Sequence, residues 1–114
     1  MKKLKVIEDF NFTTGPRYIR EGANSGEEFR INVLYPKVKE AITNKCVLEI
    51  DLDGAAGYGT SFLEEAFGGL IRENNLSYNA INSHIKIIST EEEYLIEDID
   101  EYMKDAQNEK DKSN

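Results

Sequence analysis

Two carboxylates and two hydroxyls lie within a dozen residues of each other. Asp51 and Asp53 come first, then Gly54-Ala-Ala-Gly57-Tyr58-Gly59, then Thr60 and Ser61. Paired carboxylates that end an apolar stretch can supply a nucleophile, an acid/base and magnesium ligands for phosphoryl transfer. Glycines followed by hydroxyls at a helix start can cradle a phosphate. Alternatively, the hydroxyls can themselves accept one.

The flanking elements decide which of these is feasible. Cys46 to Leu52 is nearly all apolar at alternate positions and reads as a strand ending in the carboxylates. Leu63, Ala66, Phe67, Leu70 and Ile71 recur at helical spacing, so the hydroxyls open an amphipathic helix. Ser61 with Glu64 has the form of a capping box, and one of the two hydroxyls is expected to cap. Gly68-Gly69 inside that helix costs about 1 kcal/mol per glycine relative to alanine. Close packing against a sheet or a second chain would make the cost tolerable.

The rest of the chain alternates in the same way. Lys5–Phe10 is an expected first strand, followed by a long loop over residues 13–26 that carries Arg17, Tyr18 and Arg20. Ser25 and Glu28 make a capping box for a helix reaching about Asn44, which Pro36 must kink or restart. Asn74–Asn79 reads as a loop and His84–Ser89 as the last strand. Thr90 with Glu93 is a third capping box, opening a helix with an inner face of Leu95, Ile99, Tyr102, Met103 and Ala106. The expected architecture is one α/β domain over residues 1–107, with a mixed, mostly parallel sheet of four to five strands and about three helices. Residues 108–114 form a polar tail, expected to be disordered.

Composition removes several functions. One cysteine and one histidine cannot build a thiolate or histidine metal site, and no cofactor is expected. The net charge of −8 is concentrated in residues 90–114, which carry ten acids and three lysines. Nucleic acid is therefore disfavoured as a partner. No apolar run approaches the roughly 20 residues that span a bilayer, and the first residues lack a secretion signal's apolar core. A cytoplasmic location without membrane contact is the expectation.

Asp51-Leu-Asp53-Gly54 matches the first motif of haloacid-dehalogenase phosphatases. The chain is short for that fold, Ala55 stands where those enzymes have a hydroxyl or β-branched residue, and only one more clear strand follows. The glycine-rich turn lacks the Gly-Lys-Ser/Thr ending of a P-loop and the dinucleotide spacing. No base is positioned to activate Thr60 or Ser61, so a serine hydrolase is improbable.

The segment Val47–Leu70, with Ser25-Gly-Glu-Glu-Phe-Arg30, resembles the STAS-like family of small bacterial proteins. These are related to sulfate transporter and anti-sigma factor antagonist domains. The resemblance spans roughly residues 5–100. It implies a STAS-like fold and a non-catalytic signalling module that docks a histidine-kinase-type ATPase through the Gly57–Phe67 turn and helix. Asp51, Asp53, Gly57, Tyr58, Gly59, Thr60, Ser61 and Phe62 then form the docking and switch residues. Thr60 and Ser61 match the family's phosphorylated hydroxyl pair. Gly59 replaces the acid before that pair, and Phe62 the glycine after it. A small magnesium-dependent phosphotransfer enzyme using Asp51 and Asp53 is the alternative, and a homodimer is a further possibility.

Overall fold

The computed structural model describes residues 2–113. Three parallel strands, β1 (Lys2–Lys5), β2 (Leu48–Asp51) and β3 (Ile85–Ile88), pair in the order β1-β2-β3. The sheet is therefore wholly parallel and has three strands among the described residues, not the four to five expected. The α/β class stands.

The first strand ends at Lys5 instead of running to Phe10. Lys5 N–H donates to the Asp9 carboxylate (2.8 Å), which folds the chain into a short helix, α1 (Val6–Asp9). Two short helices, α2 (Gly26–Phe29) and α3 (Tyr35–Thr43), are joined by a wide π-turn over Arg30–Leu34. That turn precedes Pro36, whose missing N–H cannot join a regular helical ladder. Helix α4 (Thr60–Leu63) likewise passes through a π-turn (Glu64–Gly68) into α5 (Gly69–Arg72). Ser77 caps an unexpected helix, α6 (Tyr78–His84), by accepting from Ala80 N–H (3.1 Å). The last helix, α7 (Tyr94–Ser113), runs through the residues expected as a tail, and Lys110 reaches back to Asn75 (2.8 Å). Its expected inner face is correct, with Leu95, Ile99, Met103 and Ala106 buried and Tyr102 half-buried.

Strand order and chirality together place the layers. Right-handed crossovers between strands laid down in sequential order must both pass over the same face. That face carries Leu4, Leu48 and Ile50, all buried, and meets the helices. The opposite face carries Lys3 and Lys5 on β1, Glu49 and Asp51 on β2, and Lys86 on β3. Unlike charges thus neighbour one another across the strands. That ladder lets one face of a parallel sheet stay in water, where both faces are ordinarily covered. Among the described residues, no helix is long and apolar enough to cross a membrane.

Candidate functional site

Beyond the carboxyl ends of the strands, hydrogen bonds tie the segments after α1, β2 and β3 into one surface. Asp53 sits at the centre. Its carboxylate accepts from Thr90 N–H (2.9 Å), Thr90 Oγ1 (2.6 Å) and Glu91 N–H (3.0 Å), while Glu91 accepts in return from Gly54 N–H (2.7 Å). These bonds, that from the Thr90 hydroxyl foremost, hold the Asp53 carboxyl below the usual aspartate range. Asp51 accepts from Asp53 N–H (2.9 Å) and so shapes the start of the turn. On the other side, Ala56 N–H donates to Phe12 O (2.9 Å) and Thr14 Oγ1 to Gly57 O (2.5 Å). Gly54 (φ 93°) and Gly57 (φ 150°) provide the left-handed backbone that this double tether needs.

Thr90 is consequently not the cap of the last helix; its hydroxyl is spent on Asp53. Both oxygens of Asp53 are likewise occupied. Among the described residues, no group of three or more His, Cys, Asp or Glu side chains is placed to hold a metal ion.

Below the turn lies a cluster of aromatic rings. Phe62 stacks on Phe29 with centroids 5.6 Å apart, Phe10 packs on Phe29 (5.1 Å), and Tyr58 tilts against Phe62 (6.1 Å). The Tyr58 hydroxyl donates to Leu52 O (2.8 Å). Burial, reinforced by Asp51 and Asp53, raises the Tyr58 phenol far above its ordinary value. Phe62 is 1% exposed, so it anchors the helix from inside and offers a partner no surface. Tyr58 is half-buried and faces the same cluster.

The hydroxyls are placed differently from expectation. The N-cap is Gly59, which has no side chain to cap with, and the helix begins at Thr60. Neither Thr60 nor Ser61 caps, and neither hydroxyl has a hydrogen-bond partner among the described residues; both are exposed. The capping box at Ser61 and Glu64 therefore does not form. The expected cap at Ser25 does form, on α2: its Oγ accepts from Glu28 N–H (3.0 Å), although Glu28 reaches back to Asn24 N–H (3.2 Å) instead of Ser25.

One step along the helix lies a buried ionic group that the sequence does not announce. Arg30 and Glu65, both nearly inaccessible, pair at 3.2 Å, and Arg30 also donates to Asn74 (2.9 Å). Arg17 approaches Glu64 (2.6 Å), and Arg72 lies 4.0 Å from Glu65. The two glycines of the helix face these arginines. A Cβ on Gly68 would meet the Arg72 guanidinium, and one on Gly69 would meet Arg30. Within the chain the pair serves this packing against arginines, not against the sheet. Gly26 has a similar office: a Cβ there would run into the Phe62 backbone, where the two sequence motifs cross.

The exposed part of the Gly57–Phe67 turn and helix is therefore small. Within it Gly59, Thr60 and Ser61 are exposed and Gly57, Tyr58 and Glu64 partly so, with the exposed Ala56 just before it. Phe12, 55% exposed, lies on the loop tethered to Ala56 and adds a large apolar contact to the same rim. Phe12 is a lone aromatic in a polar loop, and such a residue carries no periodic signal in the sequence.

The described residues thus form a one-sided parallel α/β layer whose connecting segments are tied into a rim that carries two exposed hydroxyls. The family model described as "STAS-like domain of unknown function (DUF4325)" matches residues 25–95, well over half of the chain, and the chain belongs to that family. No curated protein and no solved structure matches it significantly.

Proposed function

We propose that this domain is a non-catalytic docking module. Its partner is a protein, an ATPase of the histidine-kinase type, and the contact is the rim formed by Phe12, Ala56 and Gly59–Ser61. The observation that carries the reading is the state of Thr60 and Ser61. Two adjacent hydroxyls stand exposed and unbonded at a helix start whose cap is a glycine. A phosphate added there would bring up to two negative charges to the positive end of the helix. It would also lie about one helical turn from Glu64 and compete with it for Arg17. The rigid aromatic cluster and the Asp53 lock give such a change a fixed platform to act upon.

The test is to mix the full chain with purified histidine-kinase-type ATPases encoded near it, with and without ATP. The expected result is a complex with one of them that Thr60→Glu or Ser61→Glu weakens tenfold or more. Phosphate transferred from ATP would be mapped by mass spectrometry to one of these two residues. Failure of every candidate to bind, or binding indifferent to both glutamate variants, overturns the proposal.

A further inference from the structure

A second surface, on the far side of the sheet from β1, has its own logic. In a parallel ladder successive residues turn their N–H and C=O groups alternately toward the two neighbouring positions. Leu52 N–H donates to Ile88 O (2.8 Å), so Ile88, and with it Lys86, faces β2. Ile85 and Ile87 therefore point their backbone groups away from the sheet. Neither has a backbone partner on that side among the described residues. An open row of this kind is a template for another strand.

The two edges of the sheet are built differently. Three of the four β1 residues are lysines, the usual guard of an exposed edge. Three of the four β3 residues are isoleucines. Ile87 and Ile96, the latter on α7 and 40% exposed, line an open groove between β3 and the last helix. Glu93, just before α7, and Glu97 and Asp100 on α7 border it, and the nearby Lys104 is already paired with Asp100 (2.9 Å). A second copy pairing β3 against β3 would set these acids against one another.

We propose that this edge takes an extended segment of a partner protein as a fourth strand. On the side facing α7, the segment carries apolar and basic side chains. Main-chain bonds to Ile85 and Ile87 supply affinity, an apolar side chain rests on Ile87 and Ile96, and a lysine or arginine meets Glu93 or Glu97. This surface is separate from the Thr60 and Ser61 rim and does not depend on its function.

The test begins with a random twelve-residue peptide library panned against the immobilised full chain. A synthetic peptide of the recovered consensus is then titrated by fluorescence anisotropy. The expected consensus alternates, with valine or isoleucine and lysine or arginine sharing one face. Ile96→Asp and Glu97→Lys, both at exposed positions and checked for folding by circular dichroism, should each weaken the peptide tenfold or more. Lys3→Glu at the guarded edge should leave it unchanged. N-methylation of the peptide at alternate amides should abolish binding in one register only. Three results overturn the proposal: a library that yields no consensus, a consensus without basic residues, or equal binding to the variants. Self-association of the wild-type chain in sedimentation that Ile96→Asp removes would assign the edge to a second copy and overturn it too.

Discussion

A Cβ at Gly69 would lie 2.5 Å from Nε of Arg30 and 2.7 Å from its Cδ: the second glycine of the helix is the floor on which a buried guanidinium rests. The head group cannot move aside, because Glu65 and Asn74 hold it. Gly69→Ala gains about 1 kcal/mol of helix propensity but meets an overpacking cost of about 1–3 kcal/mol at a site with no room to relax. The expected result is a net loss of stability in urea denaturation. Gly68→Ala meets instead the partly exposed guanidinium at the far end of the long Arg72 side chain and should be neutral or stabilising by up to about 1 kcal/mol. Equal losses for the two variants would contradict this account of the glycine pair.

Glu65 is the anion against which Arg30 is buried. Glu65→Gln leaves a desolvated guanidinium without its counter-charge and should cost about 3–5 kcal/mol. Replacing both partners, Arg30→Met with Glu65→Leu, should recover much of that loss, since an apolar pair carries no desolvation penalty. Chemical denaturation of the single and double variants measures the coupling directly.

Three serines separate caps from hydroxyls free for other work. Ser25→Ala and Ser77→Ala each remove a side-chain acceptor from a helix start and should each cost about 1 kcal/mol. Ser61→Ala removes no hydrogen bond and should change stability by less than about 0.5 kcal/mol. A cost at Ser61 as large as at Ser25 would return that residue to a structural role.

Asp53 makes a prediction about acid. Its folded carboxyl titrates below the ordinary aspartate value of 3.8 because the ionised form receives the Thr90 hydroxyl and two backbone N–H groups. Its stabilisation is therefore complete above that ordinary value and disappears as pH falls through the depressed one. Asp53→Asn should lower the thermal midpoint near neutrality, and the gap from wild type should close in strong acid. Carbon-detected NMR titration of the Asp53 carboxyl checks the same shift. A gap that persists at the lowest pH would show that the lock does not depend on charge.

What the sequence reveals follows from how local each determinant is. The β2–turn–helix unit and the Ser25 cap were legible, because strand alternation, glycine and a serine three residues before a glutamate act within one segment. The caps at Thr90 and at Thr60 or Ser61 misled. At Thr90 a carboxylate 37 residues away claims the hydroxyl, and at the other site Gly59 takes the cap position just ahead of the two hydroxyls. Helix α6 hid inside an asparagine-rich stretch whose cap, Ser77, has no glutamate partner three residues on. The strand Lys2–Lys5 hid because three lysines read as surface. The reason for Gly68-Gly69 lay in arginines at positions 30 and 72, and no pattern local to the glycines encodes a contact across the fold.

The sequential strand order has a bearing on how the chain is made. Each strand pairs with the one synthesised immediately before it, so β2 finds β1 already outside the ribosome and β3 then finds β2. No gap must be held open for a strand yet to be translated, and none has to be threaded between two that are already joined. The sheet can grow in one direction, in the order of translation, with α7 closing over the core after β3.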